Sequence, residues 1–484
     1  MTMCATLLPT GVFRSVYSEV CWHWCSSSIC PSLYQLPLNR VVERRRCREY
    51  YAAENPTVFD PLGEIREDLC KVDAVQKELA WIQGAMETAW IVGDFVMTIP
   101  LGFVAEKYGR RTVLWLNLAP RICMLAWAVT VGYLENLLPT RAILAAPMLS
   151  VLGGDCVFNS IVYALASDMT ADRTLRATYF AYLGSTSYVV ALLGPALASA
   201  TMTIHLWLPF YIGIALLFAC VWTITALHPH DPSPPTTYES SPLLSSPLLK
   251  AQDQPSITTA ISHRFTAMRG ILATHPRNFT LLLASFFLTS LASSDTKLLV
   301  QYISKRYAWT FASAGYLLSG KAVVNFVLLT LVIPRVLAWR NTLSAQRHTH
   351  DGTYLTYAKI CIAISILGAV SIALAATIPL LVPALLLYAL GSALPVFTMS
   401  LLKSPLVSPT DGDGRELEGG SGETQVFSVV MLTKTLGSLV GAPLMAGVWM
   451  RGIAVGGAGL GLPYFVSAVC YVMALVVVWG MRVS

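Results

Sequence analysis

The chain has 484 residues, 55% of them hydrophobic and only 12% charged, with a mean hydropathy of +0.59. That is more apolar surface than a fold in water can hide, which excludes a soluble enzyme or binding module and makes a bilayer the solvent. The net charge of +6 does not point to nucleic acid, because the basic residues form no stripe interleaved with aromatics and mostly flank apolar segments.

Residues 1–35 come first and do not read as a membrane span. Arg14, Glu19 and His23 interrupt them, and no apolar run approaches the about 20 residues that a spanning helix needs. They are expected to form an atypical N-terminus in place of a first helix. The segment is either a poor, divergent helix or a start that does not represent the natural protein. A cleaved signal peptide fits less well, since a basic n-region and a clean apolar core are absent. Cys21 and Cys25 flank His23, but this spacing is a weak metal signal and no metal is expected. Residues 36–81 carry both signs of charge and are expected to form an extracellular loop. Cys47 and Cys70 then lie together in an oxidising compartment, as a disulfide or as two unpaired thiols.

Apolar stretches long enough to cross a bilayer follow near 82–104, 112–133, 142–166, 178–200 and 207–227, then near 278–300, 311–334, 357–377, 380–402, 426–448 and 460–480. These eleven clear spans group into an N-terminal helical bundle, 82–228, and a C-terminal bundle, 278–484. Between them, residues 229–277 contain Pro232, Pro234, Pro235 and Pro242 among serines and read as a solvated linker. Cys123, Cys156, Cys220, Cys361 and Cys470 sit inside apolar runs, where a thiol acts as a small hydrophobe.

Basic residues set the orientation. Lys107, Arg110 and Arg111 follow one span, Arg335, Arg340 and Arg347 another, and Lys250, Arg264, Arg269 and Arg277 lie in or beside the linker. These loops, the linker and the C-terminus are expected to face the cytoplasm of a multi-pass protein in a plasma or vacuolar membrane. The cluster Arg44, Arg45, Arg46 and Arg48 breaks this rule locally.

The strongest motif is Gly102-Phe103-Val104-Ala105-Glu106-Lys107-Tyr108-Gly109-Arg110-Arg111. It resembles the major facilitator superfamily loop signature G-x-L-x-D-R-x-G-R-R, with Glu106 and Lys107 in place of the usual Asp and Arg. The resemblance implies a gate motif of Gly102, Glu106, Lys107, Gly109, Arg110 and Arg111, whose ion pairs open and close with the cytoplasmic side. The plainer alternative is a basic loop placed only by topology. Cys47-Arg48-Glu49-Tyr50-Tyr51, Cys70-Lys71, Val75-Gln76-Lys77-Glu78-Leu79-Ala80, Gly184, Gly194-Pro195, Ala314-Gly315-Tyr316-Leu317-Leu318 and Gly437-Ser438-Leu439-Val440-Gly441-Ala442-Pro443 are similar to a fungal branch of that superfamily. The resemblance covers roughly residues 36–484. It implies an all-α integral membrane fold of two six-helix bundles, the first helix divergent or missing, around a central cavity that opens alternately to each side. No arginine precedes Gly153-Gly154, and Val190, Ala198 and Ser199 stand where antiporters have glycines, so the motifs do not establish proton antiport.

Ionisable residues inside spans are costly and are functional candidates by default. Asp155, Asn159 and Tyr163 form one helical stripe. Ser290, Ser294, Lys297 and Gln301 form another, from which Asp295 points away. With Lys321 and Asn325, these stripes are expected to line the substrate or ion cavity. Glu87, Asp94, Arg121 and Lys434 complete the set, and the alternative for all of them is pairing between helices or snorkelling. Gly437 and Gly441 have helix-packing spacing.

The resulting expectation is a monomeric secondary active transporter of a small organic solute by alternating access, with uptake, efflux and proton coupling left open. No catalytic residue, cofactor or metal is expected, and the partners are the solute, the lipid bilayer and, on one reading, protons. A non-transporting receptor or sensor on the same fold is the rival, and a membrane enzyme is the weakest alternative because intramembrane catalytic clusters are missing.

Overall fold

The structure, a computed structural model, describes residues 12–54, 56–60, 65–135, 137–153, 158, 173–226, 277–332, 335, 350–401 and 420–481. The described residues are helices and short connections, as the expected all-α class requires. Two compact units emerge, one of residues 1–245 with 308–319, the other of residues 246–307 with 320–484.

Unit 1 begins with α1 (Val12–Glu54), followed by α2 (Asp73–Tyr108), α3 (Arg110–Tyr133), the short α4 (Ala145–Ser150), α5 (Arg173–Ile204) and α6 (Leu208–Ala226). Of the alternatives for the N-terminus, α1 is the divergent helix. Residues from Val12 onward form a first helix, and residues 36–54, assigned to an extracellular loop, are its second half. The physical reason lies in where the apolar residues go. Leu33, Tyr34, Leu36, Leu38, Val41 and Val42 are all buried, spaced around a helix that packs against α5, α6 and α2. A helix covered by other helices needs apolar positions without an unbroken apolar run, so a window tuned to lipid-facing segments passes over it.

The arginine cluster that breaks the charge rule is paired inside the protein. Arg45 is buried and donates to the backbone carbonyls of Val131, Glu135 and Leu138, supplying donors to the C-terminal end of α3 and the loop after it. Arg46 bridges Glu49 at 2.6 Å and Glu78 at 3.2 Å, and Arg48 bridges Glu135 at 2.7 Å. Charges so engaged are structural, which is why they do not follow the topology rule for loops.

Unit 2 contains α7 (Arg277–Ser293), α8 (Leu299–Tyr307), α10 (His350–Leu374), α11 (Ile378–Leu390), α12 (Leu394–Leu401), α13 (Gly420–Val455) and α14 (Leu462–Trp479). The intervening helix, α9 (Phe311–Val327), begins in unit 1 and ends in unit 2. In unit 2, α7 packs against α13 and α14, and α10 against α11 and α14. Small residues bring α13 against α7. A Cβ added at Gly437 would lie 2.5 Å from the Phe287 carbonyl oxygen, and one at Gly441 would lie 3.0 Å from that of Leu291. Backbones this close leave room for glycine alone. Tyr302 anchors the other side of the unit. Its ring meets Tyr464 edge-on at 4.9 Å, and its hydroxyl donates to the Ile372 carbonyl at 2.7 Å.

Among the described residues, five helical stretches are long and apolar enough to cross a membrane by length and composition: Arg111–Tyr133, Arg277–Lys297, Leu355–Leu374, Val429–Val455 and Gly457–Trp479. Three shorter apolar helices, Val189–Ile204, Leu208–Trp222 and Ile378–Ala393, accompany them. Three of the expected spans include a short non-α segment: Ser294–Lys297 after α7, Leu328–Val332 after α9 and Gly391–Ala393 after α11. The expected linker, except Arg277, lies outside the described residues.

Candidate functional site

The chemistry of unit 2 centres on one carboxylate. Asp295 is fully buried, and the Tyr388 hydroxyl donates to its two oxygens at 3.0 and 3.1 Å. The Tyr471 hydroxyl lies 3.3 Å from that of Tyr388, extending the chain by one link. The ammonium of Lys321 stands 5.2 Å from the centre of the Tyr388 ring and interacts electrostatically with the carboxylate. One turn further on α9, Asn325 accepts from the Ser392 hydroxyl at 3.1 Å. Lys321 and Asn325, four residues apart on α9, thus meet Tyr388 and Ser392, four residues apart along α11 and its short extension.

Local backbone geometry brings Asp295 to this position. The α7 helix stops at Ser293, and Ser294–Lys297 wind as a 3-10 turn with about three residues per turn instead of about 3.6. The change of period rotates the residues that follow. Asp295 is turned into the unit and Lys297 to the exposed side. Asp295 faces Tyr388 and not α13, so it points away from the stripe of Ser290, Ser294 and Gln301, as expected. Of the expected stripe, Lys297 departs and the other three residues stay on one face. Ser290 donates to the Lys434 carbonyl at 2.6 Å and meets the Ser438 hydroxyl at 2.8 Å, and Ser294 packs beside Gly441. Gln301 is fully buried and accepts from the Trp449 indole at 3.1 Å. Ser290, Ser294 and Gln301 thus serve contacts with α13.

In unit 1, Glu87 accepts from the Gln35 amide at 2.7 Å, one turn from a stacked pair, Tyr34 and Trp90, with centroids 6.3 Å apart. Asp94 is two turns further along α2 and half-buried. Arg121 is buried with its guanidinium 5.6 Å from the Phe158 ring centre. Asp155, Asn159 and Tyr163 lie outside the described residues.

For the loop motif, the backbone is described but most side chains are not. The chain reverses at Gly109, whose φ of 84° is a left-handed conformation that glycine adopts at little cost. Arg111 donates to the Thr225 carbonyl at 3.3 Å. The side chains of Gly102's neighbours Glu106 and Lys107, and that of Arg110, lie outside what the structure describes.

At the opposite end of unit 1, Cys47 on α1 is joined to Cys70 in a disulfide, with Cα atoms 5.3 Å apart. Around it lies a buried set of charges that sequence reasoning did not single out. Glu43, fully buried, accepts from Lys71 at 2.8 Å and from Gln76 at 2.6 Å and pairs with Arg40 at 2.8 Å. Glu67 pairs with Lys71 at 3.2 Å and with Arg40 at 3.3 Å. The available signal was the charge pattern itself. Arg40, Glu43 and Cys47 recur every three or four residues on α1, and Glu67 and Lys71 are one turn apart.

A family model described as Major Facilitator Superfamily matches residues 74–442, more than half of the chain. Among curated relatives, the MFS efflux pump atnC of Emericella nidulans is 25% identical over 445 residues, covering 90% of this chain and 82% of atnC. The MFS-type transporter aprT of Aspergillus flavus is 26% identical over 450 residues, covering 92% of this chain and 83% of aprT. The crystal structure of the nucleoside transporter NupG aligns over 97% of this chain and 100% of its own, with a TM-score of 0.62 at 14% identity, a likeness of fold alone.

Proposed function

Because the chain belongs to the major facilitator superfamily, in its fungal branch, and is a multi-pass membrane transporter, we propose that it exports a small organic solute by alternating access, with Asp295 as the carboxylate that takes up the coupling proton. The burial of Asp295 carries this reading. A carboxylate with no exposure inside a membrane domain costs several kcal/mol unless its charge is neutralised or put to use. Here its hydrogen-bond donors are neutral groups, among them the hydroxyls of Tyr388 and Ser467 and the Thr296 backbone N–H. Lys321 supplies a cation that the solute or a proton can compete with as the domain rearranges. Export is supported by a relative such as atnC, which is named as an efflux pump.

The same reading sets the orientation. The disulfide between Cys47 and Cys70 supports an oxidising compartment on that side. The basic residues after α2 and in the linker support a cytoplasmic face on the other. Glu106, Arg110 and Arg111 then flank the cytoplasmic turn at Gly109, where their opposite charges suit a gate made and broken in each cycle.

The test uses purified protein in vesicles with an imposed pH gradient and a panel of fluorescent organic cations, anions and neutral aromatics. The wild type is expected to concentrate at least one probe. Asp295→Asn, which keeps the shape and an acceptor for Tyr388, is expected to lose concentration against the gradient while retaining exchange. Full accumulation by Asp295→Asn would remove Asp295 as the coupling group and turn attention to Glu87 and Asp94.

A further inference from the structure

We propose that Glu67 and Lys71 form a charge clasp that holds the start of α9, and that the Cys47–Cys70 disulfide keeps this clasp closed, so that reduction releases α9 at its first turn. Every residue of the clasp belongs to unit 1, which takes in residues 308–319 from the second half of the sequence. The proposal does not depend on the coupling role of Asp295.

The carboxylate of Glu67 accepts the backbone N–H of Phe311, the first residue of α9, at 2.8 Å. A helix leaves its first N–H groups without partners and carries partial positive charge there, so a carboxylate satisfies both needs at once. Thr310 adds a second cap by accepting the N–H of Ser313 at 3.2 Å. The ammonium of Lys71 stands 4.5 Å from the centre of the Phe311 ring, which is itself fully buried. Thus both partners of one ion pair, Glu67 and Lys71, touch the same residue of α9, one through its backbone and the other through its ring.

Immediately before α9 the chain is held in an uncommon conformation. Ala308 has a φ of 54°, which residues other than glycine seldom adopt. Such a turn persists when surrounding contacts over-determine it. The clasp supplies them on the α9 side. Further along α9, Gly315 packs against Leu36 of α1 and the Pro195 carbonyl of α5, so the hold extends over the first turn and a half.

The disulfide anchors the clasp to α1. Cys70 is adjacent to Lys71 and three residues from Glu67 in the short helix Glu67–Lys71, and its sulfur is bonded to Cys47, one turn beyond Glu43. Glu43 and Arg40 then pair with Lys71 and Glu67 across the same contact. With the disulfide intact, the Glu67–Lys71 helix cannot leave α1, and the ion pairs need to order only side chains. With it reduced, the same pairs must also restrain a loop, at an added entropic cost.

Hydrogen exchange of the full chain in lipid nanodiscs, followed by mass spectrometry, tests this without any transported solute. Reduction with a phosphine, verified by mass at Cys47 and Cys70, is expected to raise exchange in peptides covering 308–316 by about tenfold or more. Exchange in peptides covering 462–479 should not change. Glu67→Gln, with the disulfide intact, is expected to raise exchange in the same 308–316 peptides. Unchanged exchange there on verified reduction would show that the disulfide does not hold the clasp. Unchanged exchange in Glu67→Gln would show that the carboxylate does not hold α9. A rise spread over both units would make the disulfide a general support of the fold. Each of these three results overturns the proposal.

Discussion

Two buried carboxylates, Glu43 in unit 1 and Asp295 in unit 2, have the same exposure and opposite surroundings. Glu43 is met by two cations and an amide, Lys71, Arg40 and Gln76, all within 2.8 Å. Asp295 is met by neutral donors, the Tyr388 hydroxyl among them, with the Lys321 ammonium over the tyrosine ring. A carboxylate met by fixed ion pairs ties helices together and serves architecture. One held by neutral donors in an apolar unit is left able to exchange its charge, which is what coupled transport requires. The difference between structural and functional charge thus lies in the partners, since burial is the same.

The largest effect is expected where this contrast is broken on the structural side. Lys71→Ala leaves the buried Glu43 and the half-buried Glu67 with one cation between them, and removing one partner of a buried pair costs about 3–5 kcal/mol. A drop in thermal midpoint large enough to reduce the folded yield is expected, measured by tryptophan fluorescence in detergent. The double substitution Glu43→Gln with Lys71→Met removes both charges and should recover most of the loss. If Lys71→Ala were as stable as the wild type, the charge set would not be the support described for α1.

A smaller effect is expected from disturbing the frame around Asp295 without touching its charge. At Gly437 an added side chain meets the Phe287 carbonyl on α7, seven residues before the turn that begins at Ser294 and carries Asp295. Gly437→Val is expected to cost about 1–3 kcal/mol through overpacking, read as a lower thermal midpoint. Unaltered stability would mean that the approach of α13 to α7 is slack.

What could be read from the sequence follows the same division. The spans, the glycine seam at 437 and 441 and the family resemblance rest on local composition and spacing, which survive folding unchanged. The first helix did not show itself because Leu33, Tyr34, Leu36, Val41 and Val42 are dispersed among polar residues and buried by α5 and α6, with no continuous apolar run. Lys297 was placed on the stripe of Ser290, Ser294 and Gln301 because a stripe drawn at a constant α-helical period does not foresee a 3-10 turn at Ser294–Lys297, and it is exposed. The arginines of α1 read as free topological charge because their partners, Glu67, Glu78 and Glu135, lie 27 to 87 residues away in sequence.

The smallest effect, and the one that sharpens the comparison most, is expected at Arg66. It pairs with Asp68 at 2.8 Å, as short as the Lys71–Glu43 pair, and lies in sequence beside the clasp residue Glu67. Yet its side chain is 73% exposed and that of Asp68 is 46% exposed, against 7% and 0% for Lys71 and Glu43. Water screens such a pair and ordering two long side chains offsets much of its attraction, so exposed pairs contribute little. Arg66→Ala is therefore expected to leave the thermal midpoint and the exchange of peptides 308–316 unchanged. A loss comparable to that of Lys71→Ala would mean that proximity to the clasp matters more than burial, and the distinction drawn between paired, buried charge and exposed charge in this region would fail.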